Sequence, residues 1–414
     1  MTPLGILHLT TFLQGGAGRA IADLACAQHA GGHRVTVVAS TTARGEFANY
    51  PEYLQTLRRA GVTVHTWDSL FTRDLALNMR VVAHLRGNVP LQRIDVVHAH
   101  AAVPAFIGRL FIRDAGPRRV GLVQTQHGWG VNKTTAQAAF DLAVLHDVDA
   151  AIVTSQATAD LLAATGARSS FEIIPCGLPS NDCAEPPPDA VKVLEPLRGR
   201  GARLIGCIGS VMANKNQRLL IDALTRTTSN VIALFIGEGS ERLVEYARAR
   251  GVADRVVACG YRPRASRWLR LLDMVAVPSR TEGQGLVALE AFRSGVPVVA
   301  SRIPALAELI QHGTNGLLFE PDSAEALAAA IERMLALSEP ERHALVTAAC
   351  QRFHDGYTVE RMVARHEALY RKLVGDQPGV GRARGAKGGS RRSSRARSSG
   401  GWPAPGRIRE YQQP

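Results

Sequence analysis

Short β-branched runs followed by helical patterns recur along almost the whole chain, in two series separated by a proline-rich stretch. Such alternation calls for β-α-β units, because parallel strands need a crossover long enough to hold a helix. In the first series GILHLT, HRVTVVAS, TVHTW, IDVVHAH, GLVQTQH, AAIVTS and FEIIP read as strands. In the second, RLIGCIG, VIALFIG, RVVAC, DMVAVP, VPVVAS and GLLFE do so. After the first strand Gly15, Gly16 and Gly18 open a helix whose apolar positions Ile21, Leu24 and Ala25 keep helical spacing. Asp322 and Glu325 bracket the start of SAEALAAAIERML in a capping-box arrangement, with Leu327, Ile331 and Leu335 on one face. The expected fold class is α/β: two doubly wound, Rossmann-like units facing across a cleft. Ligands in such sheets sit beyond the carboxyl ends of the strands.

A length of 414 residues suits two or three domains, and 46% hydrophobic with 21% charged residues suits a globular core. No apolar run approaches the ~18 residues of a membrane helix. The start MTPLGILHLT lacks a secretory layout, so a cytoplasmic chain is expected. Cys26, Cys176, Cys183, Cys207, Cys259 and Cys350 form no C-x-x-C pair, which reads as reduced thiols without a zinc site or disulfide framework. The net charge of +13 is uneven: residues 375–414 hold nine Lys and Arg against Asp376 and Glu410. This Gly, Ser and Arg tail offers nothing to bury, so it should be disordered. It is a candidate for peripheral contact with an anionic membrane at the inner face; no nucleic-acid partner is expected.

The most informative stretch is MVAVPSRTEGQGLVALEAFRSGVPVVAS, residues 274–301. A strand ends at Pro278, a loop carries Glu282, Gly283, Gln284 and Gly285, and a helix starts near Leu286. The glycines let backbone approach a ligand, and free N–H groups at the helix start form an anion site. Glu282 and Glu290, eight residues apart, can reach one cleft, where carboxylates accept hydrogen bonds from sugar hydroxyl pairs. A nucleotide sugar fits that arrangement.

This E-x7-E spacing, inside P-S-x-x-E-G-x-G-L-V-x-L-E-A-x-x-x-G-x-P-V-V-A-S, resembles the retaining glycosyltransferases of family 4, which have the GT-B fold. The likeness extends over most of residues 4–372, through the Gly-rich loop with GHRVTVV, DVVHAH, TQHG, IVTS, IIPCG, IGS with KN, IGEGS and HGTNGLLFEP. It implies an acceptor-side domain at 1–175, a linker at 176–201, a nucleotide-sugar domain at 202–353, and a helix at 354–374 able to cross back to the first domain, ahead of the tail at 375–414. It places Lys215 on the donor phosphates, with Ser210 where the family usually has Arg, so one cation of the expected clamp is missing. Glu290 would hold the ribose hydroxyls and Glu282 would lie near the donor sugar. Gly283, Gln284, Gly285 and Leu286 would touch sugar or phosphate, and Gly16 and Ala17 would face the donor from the other domain. Gln284 stands where Phe is common. His127 would contact the sugar near the reacting carbon, making His127, Glu282 and Lys215 the expected catalytic set. Arg19, beside the Gly-rich loop, is the substitute cation should Lys215 not serve.

No cofactor is expected. His98, His100 and His127 lack a carboxylate at ligand spacing, which argues against a metal, and Asp147-Val148-Asp149 lies on a connection rather than in a nucleotide loop. The implied reaction moves a hexose from a nucleoside diphosphate sugar to a glycan or lipid-linked acceptor, as in cell-surface polysaccharide or glycolipid synthesis. Lys215 and the helix start at Gly285 would neutralise the departing phosphate without a metal, and the acceptor would attack from the front face. The alternatives are a nucleotide-sugar-binding protein without transfer activity, given Ser210, and a sugar-nucleotide epimerase of the same overall fold.

Overall fold

In a computed structural model, the described residues are 2–375 apart from 42, 44–46, 69–71, 114, 116–118, 130–132, 168–169 and 181–184. The expectations for Cys183 and for the tail beyond 375 lie outside them. The remaining cysteines, Cys26, Cys176, Cys207, Cys259 and Cys350, are free. No helix among the described residues is long and apolar enough to cross a membrane.

The first series forms β1 (Gly5–Leu9), β2 (Arg34–Ser40), β3 (Thr63–Trp67), β4 (Val96–Ala99), β5 (Gly121–Gln126), β6 (Ala150–Val153) and β7 (Phe171–Ile173). They make one parallel sheet in the order β3-β2-β1-β4-β5-β6-β7. The second series forms β8 (Arg203–Ile208), β9 (Val231–Ile236), β10 (Val256–Gly260), β11 (Met274–Val277), β12 (Val298–Ser301) and β13 (Leu317–Phe319). Their parallel order is β10-β9-β8-β11-β12-β13. Every residue of β9, β11 and β12 is buried, as a sheet covered by helices on both faces requires. Strand order reverses at β1/β4 in one sheet and at β8/β11 in the other, and the loops leaving those strands open the crevice.

Two local expectations change. The helix Ala324–Ala336 is capped by Ser323, whose hydroxyl accepts from the Ala326 N–H at 3.1 Å. Asp322 instead takes a left-handed backbone (φ 57°), and its carboxylate accepts from Arg280 at 2.7 Å and Asn216 at 2.9 Å. Tertiary partners thus took the carboxylate that local pattern assigned to the helix. Within the Pro-rich 176–201 stretch, Pro188–Arg198 is helical. Proline suits a first helical position, and Ala190 and Leu194, four residues apart, bury one face.

The last helix, Val359–Val374, leaves the second sheet's half and packs on β5 and on the helix Gly15–Ala30. Tyr370, fully buried, meets the His98 Nδ1 at 2.6 Å, while Met362 and Leu369 join the apolar cluster of Leu4, Ile6 and Val96. Both sheets belong to one compact unit, Met1–Asp376.

Candidate functional site

The loop after β8 carries Ser210 and leads to a single turn, Ala213–Lys215, ended by Asn216 in the left-handed region. The loop after β11 carries Ser279 and Glu282. Side by side at the switch point, these loops bring Lys215 Nζ to both oxygens of Glu282, at 2.7 and 2.8 Å. The Ser279 hydroxyl donates to the same carboxylate at 2.7 Å. Sequence reasoning found the lysine and the carboxylate but neither their pairing nor Ser279. Half-exposed, the lysine is held at the crevice with much of its rotamer freedom already surrendered. Ser210 lies close by; its carbonyl accepts from Gln217 Nε2 at 2.9 Å.

The helix Leu286–Arg293 starts at Gly285, whose φ of +89° and close neighbour Leu306 leave no room for a side chain. Glu290 on this helix faces the other half of the molecule, 3.9 Å from Arg19 Nη1, and Arg19 also donates to Asp23 at 2.6 Å. Arg19, proposed from sequence only as a substitute cation, therefore stands beside the second carboxylate. Gly16 abuts Leu286, and Ala17 lines a neighbouring cavity.

The Glu282–Gly285 loop is fastened to the first half. The Gly283 carbonyl accepts from Ser155 at 2.7 Å, with the Thr154 and Thr158 hydroxyls at 3.3 Å. The Gln284 amide pairs twice with the Cys176 backbone, accepting at 2.7 Å and donating at 3.0 Å. Its side chain is thus occupied, and only its backbone is left to face a ligand. Glu308 accepts from the Gln156 and Ala157 N–H groups at 3.1 and 3.2 Å, capping the helix Gln156–Ala164 from the opposite half. The hydroxyls of IVTS at the end of β6 were the available sequence signal for this seam.

At Gly283 a Cβ would lie 2.0 Å from the His127 carbonyl oxygen. Gly283→Ala must therefore separate the two loops, and overpacking of this kind costs about 1–3 kcal/mol. A melting temperature lowered by a few degrees is expected; an unchanged melt would show that the loops do not touch in solution.

His127, just past β5, has both ring nitrogens turned to protein: Nε2 to His100 Nδ1 at 3.1 Å, and Nδ1 to Cys176 Sγ at 4.0 Å. Burial lowers its pKa to about 4, keeping the ring neutral, and raises the Cys176 thiol to about 12. In this rotamer a ligand meets the ring's edge or the backbone. His127 and His100 line a cavity of about 280 Å³ with Thr10, Arg73, Lys133 and Asp141. Arg73 and Lys133 converge on Asp141 at 2.7 and 2.8 Å, and Lys133 sits 3.4 Å from the centre of the Trp129 ring.

Among the described residues His8, His98 and His100 have ring nitrogens within 4.8 Å of one another. Each ring has a hydrogen-bond partner at both nitrogens. Asp147 pairs with Arg109, and Asp149 accepts from the Leu122 N–H at 2.7 Å, so the D-x-D is structural.

Two Rossmann-like halves, with a lysine, two carboxylates and a helix N-terminus on one lip and a histidine on the other, define the GT-B class of sugar-transferring folds. Anabaena HepE, solved with UDP-glucose, superposes with a TM-score of 0.75 at 22% identity, covering 88% of this chain and 99% of that one. Family comparisons match residues 14–181 to Glycosyltransferase Family 4 and 202–337 to Glycosyl transferases group 1. The GDP-mannose-dependent alpha-(1-6)-phosphatidylinositol monomannoside mannosyltransferase of Mycolicibacterium smegmatis is 30% identical over 65% of this chain and 74% of its own length. The lipopolysaccharide core mannosyltransferase LpcC of Rhizobium leguminosarum is 32% identical over 42% of this chain, a match spanning only about half (53%) of that relative. The chain belongs to the family 4 glycosyltransferases.

Proposed function

We propose that this protein transfers a hexose, with retention of anomeric configuration, from a nucleoside diphosphate sugar to a hydroxyl of a glycan or lipid-linked acceptor. The observation that carries the reading is the Lys215–Glu282 pair beside the N-terminus of Leu286–Arg293, with Glu290 on the same helix. A diphosphate resting there would meet the lysine and the helix N–H groups, which supply positive charge where the leaving group gains negative charge, without need of a metal. Glu290 would take the ribose hydroxyls, exchanging Arg19 for them. Glu282 holds the lysine and borders the reacting sugar. The acceptor would enter through the cavity lined by Arg73, Lys133 and Asp141, and its hydroxyl would reach the sugar on the face from which the diphosphate leaves, passing its proton to that phosphate. The His127 backbone closes this reaction space from the opposite lip. A mannosyl or glucosyl donor is the reading that the mycobacterial, rhizobial and Anabaena relatives support. The alternative of binding without transfer rests on Ser210.

Thermal denaturation with UDP, GDP and ADP tests the donor: the right diphosphate at 100 times its Kd adds about 2.7 kcal/mol. Stabilisation by none of the three would sink the reading. Separate measurements of donor affinity and turnover should then show Glu290→Ala losing mainly affinity and Glu282→Ala losing mainly turnover, with some affinity because Lys215 loses its anchor. Equal, small effects in both would overturn the assignment of the carboxylates. Binding without sugar transfer to any hydroxyl acceptor, water included, would favour the non-catalytic alternative.

A further inference from the structure

The His-Ala-His at the end of β4 is unused by the chemistry above. His100 Nδ1 lies 3.1 Å from His127 Nε2, His100 Nε2 lies 3.0 Å from His8 Nδ1, and His8 Nε2 lies 2.8 Å from Gln28 Oε1. Three strands, β1, β4 and β5, thus line up three imidazoles behind one amide on the helix Gly15–Ala30. His8 and Gln28 are fully buried, and His100 is nearly so. With the Gln28 amide oxygen turned to His8, as it stands here, the proton on His8 sits on Nε2, because an amide oxygen only accepts; the reversed amide would reverse every tautomer in the row. A neutral His8 then has a lone pair at Nδ1, which requires the Nε2–H form of His100, which in turn requires the Nε2–H form of His127. A single amide orders all three rings. His98 lies against His100 with ring centroids 4.2 Å apart and planes tilted by 39°, is tied to Thr125 and Tyr370 at 2.7 and 2.6 Å, and hinders rotation of the row's middle member.

We propose that Gln28, His8 and His100 are positioning residues that lock His127 as its neutral Nε2–H tautomer, ring turned inward, and so hold its carbonyl against Gly283 of the donor loop. The lock follows from the Gln28 amide oxygen facing His8; its consequence for transfer rests on the function proposed above. Nitrogen-15 NMR of the full chain labelled at histidine reads the tautomers directly at pH 7, with no substrate. His8, His100 and His127 should all show the Nε2–H pattern. The Nδ1–H pattern, or a mixture, at His127 in the unmutated protein overturns the proposal, whatever the activity. Gln28→Leu removes the acceptor and should give mixed tautomers at His127. With a working donor and acceptor, kcat should fall about tenfold, since small misplacements at a reacting centre are costly, while donor KM stays within about twofold. Gln28→Glu restores an acceptor and should restore both tautomer and kcat. An unchanged His127 signal and kcat in folded Gln28→Leu would also overturn it. Should that variant not fold, the unmutated spectrum and Gln28→Glu still decide.

Discussion

Lys215→Ala is expected to lower kcat/KM by about 10²–10³, the loss seen when one preorganised electrostatic donor is removed from a developing negative charge. The size follows from how the lysine is held. Its ammonium bonds both oxygens of Glu282, which the Ser279 hydroxyl fixes in turn, so the charge waits at the crevice without reorganising. With Ser210 where the family resemblance implies an arginine, donor binding is expected to depend more on this one side chain. Because Lys215 and Glu282 act as a pair, the double alanine variant should lose little more than the worse single one, a non-additivity that a double-mutant cycle measures. If Lys215→Ala keeps kcat/KM nearly intact, another cation serves the phosphate. Arg19, 3.9 Å from Glu290, is then the side chain to substitute next.

Acidification from pH 7 to 4.5 is expected to melt the first half of the molecule. Burial lowers His8 and His366 from 6.5 to about 4, and holds His98 and His100 well below the usual value, with neighbouring rings adding to the effect. The folded state therefore binds protons less readily than the unfolded chain. Stability from these rings is complete above about pH 6.5 and is lost progressively as pH falls towards 4. A drop from 6.5 to about 4 corresponds to about 3 kcal/mol for one ring. The rings share hydrogen bonds, so their contributions add incompletely, but even two of them are large beside a typical total of about 5–15 kcal/mol. Hydrogen bonds hold Glu325 and Glu341 below their ordinary 4.5, and hold Glu332 there against the opposing effect of its burial, so these carboxylates act in a separate, more acidic window. Circular dichroism melts between pH 8 and 4.5 check this. A melting temperature flat from pH 7 to 5 would mean that the rings are not buried as described.

The second prediction concerns residues whose purpose the sequence left open. His98 and His100 invited a metal reading that their spacing could not support. Their use becomes visible only when β1 and β5 deliver His8 and His127 beside them, 92 and 27 residues away from His100. The same holds for the seam: the family resemblance singles out Gln284 only as standing where phenylalanine is expected, and its pairing with Cys176, 108 residues earlier, depends on how the halves meet.

The sequence by itself determined the strands and their helices, since apolar periodicity and β-branched runs are local properties. It also determined the glycine-opened helix starts and the E-x7-E pair, because a loop and a helix turn fix the reach of both carboxylates within one short segment. Only the tertiary structure decided which groups oppose one another: Lys215 with Glu282, Arg19 with Glu290, Gly283 with His127, and Ser323 rather than Asp322 as helix cap. The reason is strand order. Sequence neighbours share an element, whereas partners across the crevice are set by which strands flank the reversals at β1/β4 and β8/β11, and by the last helix returning to the first sheet, arrangements that no local pattern encodes.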